Sequence, residues 1–308
     1  MRILSHIGDE SVPRIEAVAP GDEVVQIPGD GPLADDVDGE VLITWAWGTE
    51  NLEDVLDRGV RWVHTLGTGV DRFPLDLVGD RVLTCSRGGN AVPIAEWVMT
   101  HLLAFEKDVP GIWLDEPGDR WHLATLGGLD GRTVALIGLG GIGLAIAERA
   151  LPFGMRVVAL RRTDAPSPLD GVEVVRSIEE AVADADHVVI AAPATAETRG
   201  LVDAEVLSAM KEGVHLVNVA RGSLLDQDAL HAALDSGQVA MASLDTVEPE
   251  PLPEGHWMYG HPKVRLTPHI SWSAPGAFEM LLDRFLDNLR RWHDGEPLSG
   301  VVDLDAGY

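Results

Sequence analysis

Gly138, Gly140 and Gly143 stand in the spacing Gly-x-Gly-x-x-Gly, and their neighbours give that spacing a frame. Residues 133–137 (Thr-Val-Ala-Leu-Ile) are a short apolar run of strand type, and Leu144-Ala-Ile-Ala-Glu-Arg-Ala-Leu151 continues as a good helix former. In a strand–turn–helix of this kind Gly138 permits the tight turn. Gly140 removes a Cβ where a pyrophosphate would press on the backbone, and Gly143 lets helix and strand pack closely. The helix N-terminus then offers N–H groups and a partial positive charge to phosphates. A glycine turn with no ligand is the alternative. Here the next strand, Arg156-Val-Val-Ala-Leu160, arrives on schedule, and the unit reads as a dinucleotide site.

The residue after that second strand normally reads the adenosine ribose, and an NAD-specific domain places Asp or Glu there. This chain has Arg161, Arg162 and Thr163. Two cations and a hydroxyl suit a 2′-phosphate, with Arg offering its planar fork. A solvated basic pair at a strand end is the competing reading. NADPH is therefore expected in preference to NADH.

A second set of reactive side chains follows later strands. In open parallel sheets ligands gather at the carboxyl ends of the strands. Asn218 and Arg221, Asp245 and Glu250, and His269 each come just after an apolar strand. A guanidinium, a carboxylate and an imidazole can thus converge although 29 and 19 residues separate Arg221, Glu250 and His269.

Positioning these groups requires sheets. Over residues 1–90 strands are expected at Arg2–Leu4, Glu23–Ile27, Val41–Thr44, Trp62–Leu66 and Arg81–Thr84, with an amphipathic helix at Asn51–Arg58 ended by Gly59. This is a small α/β unit without a glycine fingerprint. Its loop Leu66-Gly-Thr-Gly-Val-Asp71 either presents backbone N–H groups to an anion or simply turns strand into helix. Ala91–Phe105 reads as a long buried helix whose Trp97, His101 and Phe105 form a core stripe. Residues 106–128, with Trp113, Gly118 and Trp121, read as an irregular aromatic arm able to pack on another subunit. From 133 to about 270 the βαβ rhythm is regular, with Asp226 expected as an N-cap, and Leu281–Trp292 is an amphipathic tail helix.

A formal charge of −27 over 308 residues argues against nucleic-acid or anionic-membrane partners. Lysine is confined to Lys107, Lys211 and Lys263, a composition that fits a GC-rich genome or a salty cytoplasm, the first being preferred. The single Cys85 excludes an internal disulfide and suits a reducing compartment. No apolar run approaches the ~18 residues of a membrane span and no signal-peptide pattern opens the chain, so a cytoplasmic protein is expected.

The chain resembles the D-2-hydroxyacid dehydrogenase family over nearly its whole length. The resemblance is carried by Gly67-Thr-Gly-Val-Asp71, Gly138-Leu-Gly-Gly-Ile-Gly143, Asn218-Val-Ala-Arg-Gly-Ser-Leu-Leu-Asp226, Asp245-Thr-Val-Glu-Pro-Glu-Pro-Leu-Pro253 and Thr267-Pro-His-Ile270, with Gly295-Glu-Pro-Leu298 and Val301-Val-Asp303 closing it. It implies an α/β fold of two Rossmann-like, doubly wound parallel-sheet domains with a cleft between them. A flavodoxin-like substrate domain would take residues 1–91 and 273–308, and a dinucleotide-binding domain residues 92–272. It also implies a homodimer formed largely through the coenzyme domains.

By that resemblance Arg221 binds the substrate carboxylate and polarises its 2-oxo group, His269 is the acid–base, and Glu250 holds His269, with Glu248 as competing partner. Backbone amides near Thr68 and Gly69 would hold the other carboxylate oxygen. Trp45 and Trp47 either wall the pocket or are ordinary core aromatics. The coenzyme set implied is Gly138, Gly140, Gly141, Ile142, Gly143, Arg161, Arg162, Thr163, Ala192, Pro193, Thr198, Ala220, Arg221, Asp245 and His269; no metal is expected. Hydride arriving at a 2-oxo carbon leaves charge on oxygen, so a positioned imidazolium must donate a proton as the charge develops.

Three departures from the family pattern bear on this. Gly141 stands where Arg is common, Arg161 replaces the acidic ribose reader, and Ser271-Trp272 replaces small residues after Pro-His-Ile. With no regulatory domain after residue 308 and no basic pocket for a substrate phosphate, a serine-biosynthetic phosphoglycerate dehydrogenase is not expected. The expected activity is NADPH-preferring reduction of glyoxylate, hydroxypyruvate or a similar 2-oxo acid to the D-hydroxy acid. The alternatives are an NAD-linked dehydrogenase acting mainly in oxidation and, more remotely, a dinucleotide-sensing interaction protein.

Overall fold

The computed structural model describes residues 1–116, 121, 124–163 and 165–308; Gly118 of the expected arm lies outside them. The chain forms two compact units, one of Met1–Asn90 with Ala274–Tyr308 and one of Ala91–Ser273.

The first unit runs β1 (Arg2–Ser5), α1 (Val12–Val18), β2 (Glu23–Gln26), β3 (Val41–Trp45), α2 (Leu52–Leu56), β4 (Trp62–Leu66) and β5 (Val82–Cys85). All neighbouring strands are parallel, in the order β2-β1-β3-β4-β5 of flavodoxin-like sheets. The inner strands are apolar on both faces because both are covered. Ile3 and Ile43 point into one core layer, Leu4, Leu42 and Val63 into the other. The C-terminal helix Ala277–Asp294 packs on the first layer through Leu282, Phe285, Leu286 and Leu289. Trp62 stacks between Phe285 and Trp292, each at 5.4 Å.

The polar groups around Trp62 and His64 in this core are paired. The Trp62 indole N–H donates to the Thr84 hydroxyl at 2.8 Å, which meets His64 Nδ1 at 2.7 Å, and His64 Nε2 meets the Ser86 hydroxyl at 3.1 Å. With its ring fully enclosed, burial pushes the His64 pKa down to about 3, so the imidazole is neutral.

The second unit runs α3 (Ala91–Glu106), β6 (Thr133–Ile137), α4 (Gly141–Ala150), β7 (Arg156–Leu160), β8 (Val172–Val175), α5 (Ile178–Val182), β9 (His187–Ile190), α6 (Ala204–Ala209), β10 (Val214–Asn218), α7 (Gln227–Ser236), β11 (Val239–Leu244) and β12 (Val264–Leu266); the C-terminal helix is α8. Its seven strands are parallel in the order β12-β11-β10-β9-β6-β7-β8. The chain moves outward from β6 to β8 and then returns to lay β9 on the other side of β6. That reversal is the topological switch point of a dinucleotide fold. Val134 and Leu136 face α3 and α4, while Ala135 and Ile137 face the opposite core layer with Val188 and Leu216. Among the described residues no helix is long and apolar enough to cross a membrane.

The helix α3 departs from expectation in one respect. Its buried face is Ile94, Ala95, Val98, Met99 and Leu102, and the Trp97–His101–Phe105 stripe is only half-buried beside it. Trp97 stacks on His101 at 3.7 Å, and Phe105 stacks on His215 at 4.6 Å. The smaller aliphatic residues can approach the sheet more closely, so they take the core and the rings line its margin.

Candidate functional site

The β6–α4 turn carries the glycine spacing with three separate physical reasons. Gly138 has φ +110°, and a Cβ there would come 2.8 Å from the backbone of Ala191 and Ala192 at the end of β9. A Cβ on Gly143 would lie 2.3 Å from the Gly138 carbonyl oxygen, so turn and helix meet closely. Gly140, the N-cap of α4, would point a Cβ into open space. Folding alone does not demand glycine at 140. A Cβ there would instead take up space open to a group approaching from outside, and the adjoining helix N-terminus suits a phosphate. The residues present therefore fit a dinucleotide pyrophosphate. Ala192 and Pro193 follow β9 at the switch point, and the Thr198 hydroxyl closes their loop by donating to the Pro193 carbonyl at 2.7 Å.

Arg221, Glu250 and His269 sit on the loops after β10, β11 and β12, three adjacent strands. Strand spacing of about 4.8 Å brings these loops together whatever their distance in sequence. The Arg221 loop is shaped by Asn218, whose amide donates to the Arg221 carbonyl at 3.0 Å and whose Oδ1 accepts from Ala220 N–H at 3.0 Å. The Arg221 guanidinium donates to the Ala220 carbonyl at 2.8 Å. Beside it, a Cβ on Gly222 would lie 2.0 Å from the Val247 carbonyl carbon, so only glycine lets the β10 and β11 loops touch there.

His269 occupies the left-handed region at φ +57°, rare for a residue with a side chain. Asp245 holds it there. The carboxylate of Asp245, 1% exposed as a residue, accepts from the Thr267 hydroxyl at 2.6 Å and from Ile270 and Ser271 N–H at 2.8 and 2.9 Å. Its backbone carbonyl accepts from His269 N–H at 2.9 Å. Sequence reasoning gave Asp245 a coenzyme role and missed this structural one, as it missed those of Thr267 and Gly222.

Glu250 Oε2 lies 3.0 Å from His269 Nδ1, and its other oxygen accepts from Val247 N–H at 3.2 Å. The imidazole Nδ1–H therefore donates to a fixed carboxylate, leaving Nε2 on the far side of the ring to exchange a proton. Glu248 is engaged elsewhere, by both terminal nitrogens of Arg199 at 3.1 Å. The choice between the two glutamates thus falls on Glu250.

Such an ordered imidazole–carboxylate pair, an arginine on the next loop but one and a dinucleotide turn in one sheet are accompanied by a direct sequence match. Residues 99–271 match the profile described as D-isomer specific 2-hydroxyacid dehydrogenase, NAD binding domain. The chain belongs to the D-isomer specific 2-hydroxyacid dehydrogenase family. A glyoxylate/hydroxypyruvate reductase A of Serratia proteamaculans is 30% identical over 286 residues, covering 89% of this chain and 89% of the reductase. A D-3-phosphoglycerate dehydrogenase of Bacillus subtilis is 31% identical over 266 residues, and the match spans 84% of this chain but 50% of that relative. A D-isomer specific 2-hydroxyacid dehydrogenase of Xanthobacter autotrophicus, solved in complex with NADPH and MES, superposes with a TM-score of 0.87 at 30% identity, covering 100% of this chain and 99% of that one.

Two further parts of the family pattern can be located. After β7, Arg161 is half-buried and its guanidinium donates to the Ala165 and Pro166 carbonyls at 3.2 and 2.8 Å, while Arg162 and Thr163 are exposed. In the first unit, Gly67 is held so close to β3 that a Cβ would lie 2.6 Å from Ala46 Cβ, which sets Thr68 and Gly69 beside the Trp45–Trp47 segment. Trp45 and Trp47 stack face to face at 5.5 Å, and Trp47 is 63% exposed, so it is no core aromatic. After His269, Ser271 is buried and Trp272 donates to the His269 carbonyl at 3.0 Å.

Proposed function

We propose that this chain reduces a small 2-oxo acid, of the glyoxylate and hydroxypyruvate class, to the D-2-hydroxy acid, with NADPH preferred over NADH. The observation that carries the proposal is the 3.0 Å contact between Glu250 Oε2 and His269 Nδ1. A bound nicotinamide supplies the hydride. Glu250 fixes the ring orientation of His269, whose Nε2 donates a proton to the 2-oxo oxygen as negative charge builds there. Arg221 grips the substrate carboxylate with a planar fork that lysine cannot copy, and draws charge toward the 2-oxo group. Thr68 and Gly69 would meet the second carboxylate oxygen through backbone N–H groups, with Trp45 and Trp47 flanking them.

NADPH preference rests on cations at Arg161 and Arg162 where an acidic ribose reader would stand, and on the NADPH reported with the Xanthobacter relative. One observation favours the NADH alternative: Arg161 already bonds two loop carbonyls, as a merely structural arginine would. We further infer a homodimer, supported by Trp113 and Trp121, 68% and 66% exposed. One buried cysteine supports a cytoplasmic setting.

A panel of 2-oxo acids assayed with NADPH and with NADH tests the reading. Turnover of a short 2-oxo acid that is faster with NADPH is expected. No turnover on any of them, together with coenzyme-dependent capture of another protein, would replace the reductase by a dinucleotide-sensing role.

A further inference from the structure

We propose that His231, Asp235 and His261 form a zinc-binding site on the second unit, independent of the reductase reading. His231 and Asp235 are four residues apart on α7 and so share a face, while His261 lies on the loop entering β12. Their three ligand atoms lie within 4.8 Å of one another. His261 Nε2 is 3.4 Å from Asp235 Oδ1, and His231 Nε2 is 3.8 Å from Asp235 Oδ2. Tetrahedral Zn²⁺ with bonds of 2.0–2.1 Å needs ligand atoms roughly 3.3 Å apart, so small rotamer adjustments suffice.

The surroundings fit a ligand set better than a plain surface. The imidazole of His231 lies flat on Trp257, 4.1 Å away with the rings 4° from parallel, and is edge-on to His261. Two half-buried imidazoles, one stacked on Trp257 and one edge-on to it, thus flank one carboxylate whose outer side is open to water, which can fill the fourth position. Two imidazoles and a carboxylate select Zn²⁺ and its transition-metal neighbours over Mg²⁺ or Ca²⁺, which require oxygen ligands. Without metal, His261 Nδ1 accepts from Lys263 N–H at 3.2 Å, so its Nε2 carries the ring proton toward Asp235. Metal at Nε2 moves that proton to Nδ1 and displaces the long Lys263 bond, a small loss against a coordinate bond.

The location separates this site from the chemistry already described. His261 enters β12 and the C-terminal half of α7 leads into β11, whereas Arg221, Glu250 and His269 leave the opposite ends of their strands. Zn²⁺ here would clip α7 to the edge strand β12, whose far end carries His269.

Chelator-stripped full-length protein, dialysed against Zn²⁺ in excess Mg²⁺, tests the proposal; Mg²⁺ saturates the acidic surface oxygens. One Zn²⁺ retained per chain and a Tm raised by several degrees are expected, with Co²⁺ giving the intense visible bands of a tetrahedral site. His231→Ala and His261→Ala should each weaken retention at least about tenfold and abolish the Tm shift. Because both rings also pack, His231→Gln and His261→Gln serve if the alanine variants lose folding. Equal Zn²⁺ retention in wild type and the double glutamine variant would overturn the site, as would octahedral Co²⁺ spectra in the wild type.

Discussion

Glu250 and His269 form a single oriented unit: Oε2 lies 3.0 Å from Nδ1, and the carboxylate is itself braced by Val247 N–H. Glu248, only two residues earlier, is held by Arg199 instead. Glu250→Gln should therefore lower kcat for 2-oxo acid reduction by about 10²- to 10⁴-fold, the range of a disabled general acid. Glu248→Gln should leave kcat within about threefold, since its exposed ion pair contributes little. Steady-state kinetics of both variants decide it, and equal losses would remove the assignment of roles.

Gly140 and Gly143 make opposite predictions although both belong to one motif. A Cβ at Gly140 meets no atom within 4 Å, and its φ of −89° suits any residue. Gly140→Ala should fold with unchanged Tm yet bind NADPH at least about tenfold more weakly, because the methyl occupies phosphate space. A Cβ at Gly143 would clash with the Gly138 carbonyl, so Gly143→Ala should lose stability by about 1–3 kcal/mol of overpacking. Thermal unfolding and coenzyme titration separate the two. Should Gly140→Ala bind NADPH normally, the pyrophosphate is elsewhere.

Much of this was legible in the sequence, and the reasons differ by element. The central strands are buried on both faces, so their apolar runs stand out, and β4 and β6 appear at their expected bounds. The edge strand β8 was not anticipated: Val-Glu-Val-Val is short and only partly buried, which weakens the signal. The five residues of α5 are too few to establish a helical period. That Arg221, Glu250 and His269 follow adjacent strands could be read from the strand pattern, but the support around them could not. Nothing in Asp245 as a residue type announces that its carboxylate will order the turn that carries His269.

That support gives a prediction of its own. Asp245 accepts from Thr267, Ile270 and Ser271, and hydrogen bonds to a charged acceptor are worth about 1.5–3 kcal/mol each. Asp245→Asn turns an amide NH₂ toward at least one of these donors. The variant should lose about 2–4 kcal/mol of stability and lower kcat. Faster hydrogen exchange at the Ile270 and Ser271 amides would accompany the loss; unchanged exchange there would assign Asp245 no part in ordering the turn.

Arg161 tests coenzyme choice. If its guanidinium reads a 2′-phosphate, Arg161→Ala should raise KM for NADPH by about 10- to 100-fold, the worth of a charge-assisted contact, and leave NADH kinetics unchanged. If it serves only the Ala165 and Pro166 carbonyls, both coenzymes should suffer alike. A preference for NADH that survives the substitution would end the NADPH assignment.

His64 makes the first unit sensitive to acid. Its folded pKa, near 3, lies below the unfolded value of 6.5, so between these pH values the unfolded chain binds more protons. Stability from the neutral ring is complete above pH 6.5 and is lost as pH falls toward 3, at about 1.4 kcal/mol per pH unit for one proton. His6 and His187, each lowered by burial to about 4, act in the same direction over a narrower window. His64→Gln retains polar groups toward Thr84 and Ser86 but cannot titrate. It should unfold more easily at pH 7.5, yet lose stability between pH 6 and 4.5 with a slope shallower by about 1.4 kcal/mol per pH unit. Denaturant unfolding across that range measures both slopes, and parallel curves would show that His64 is not the acid-sensitive group.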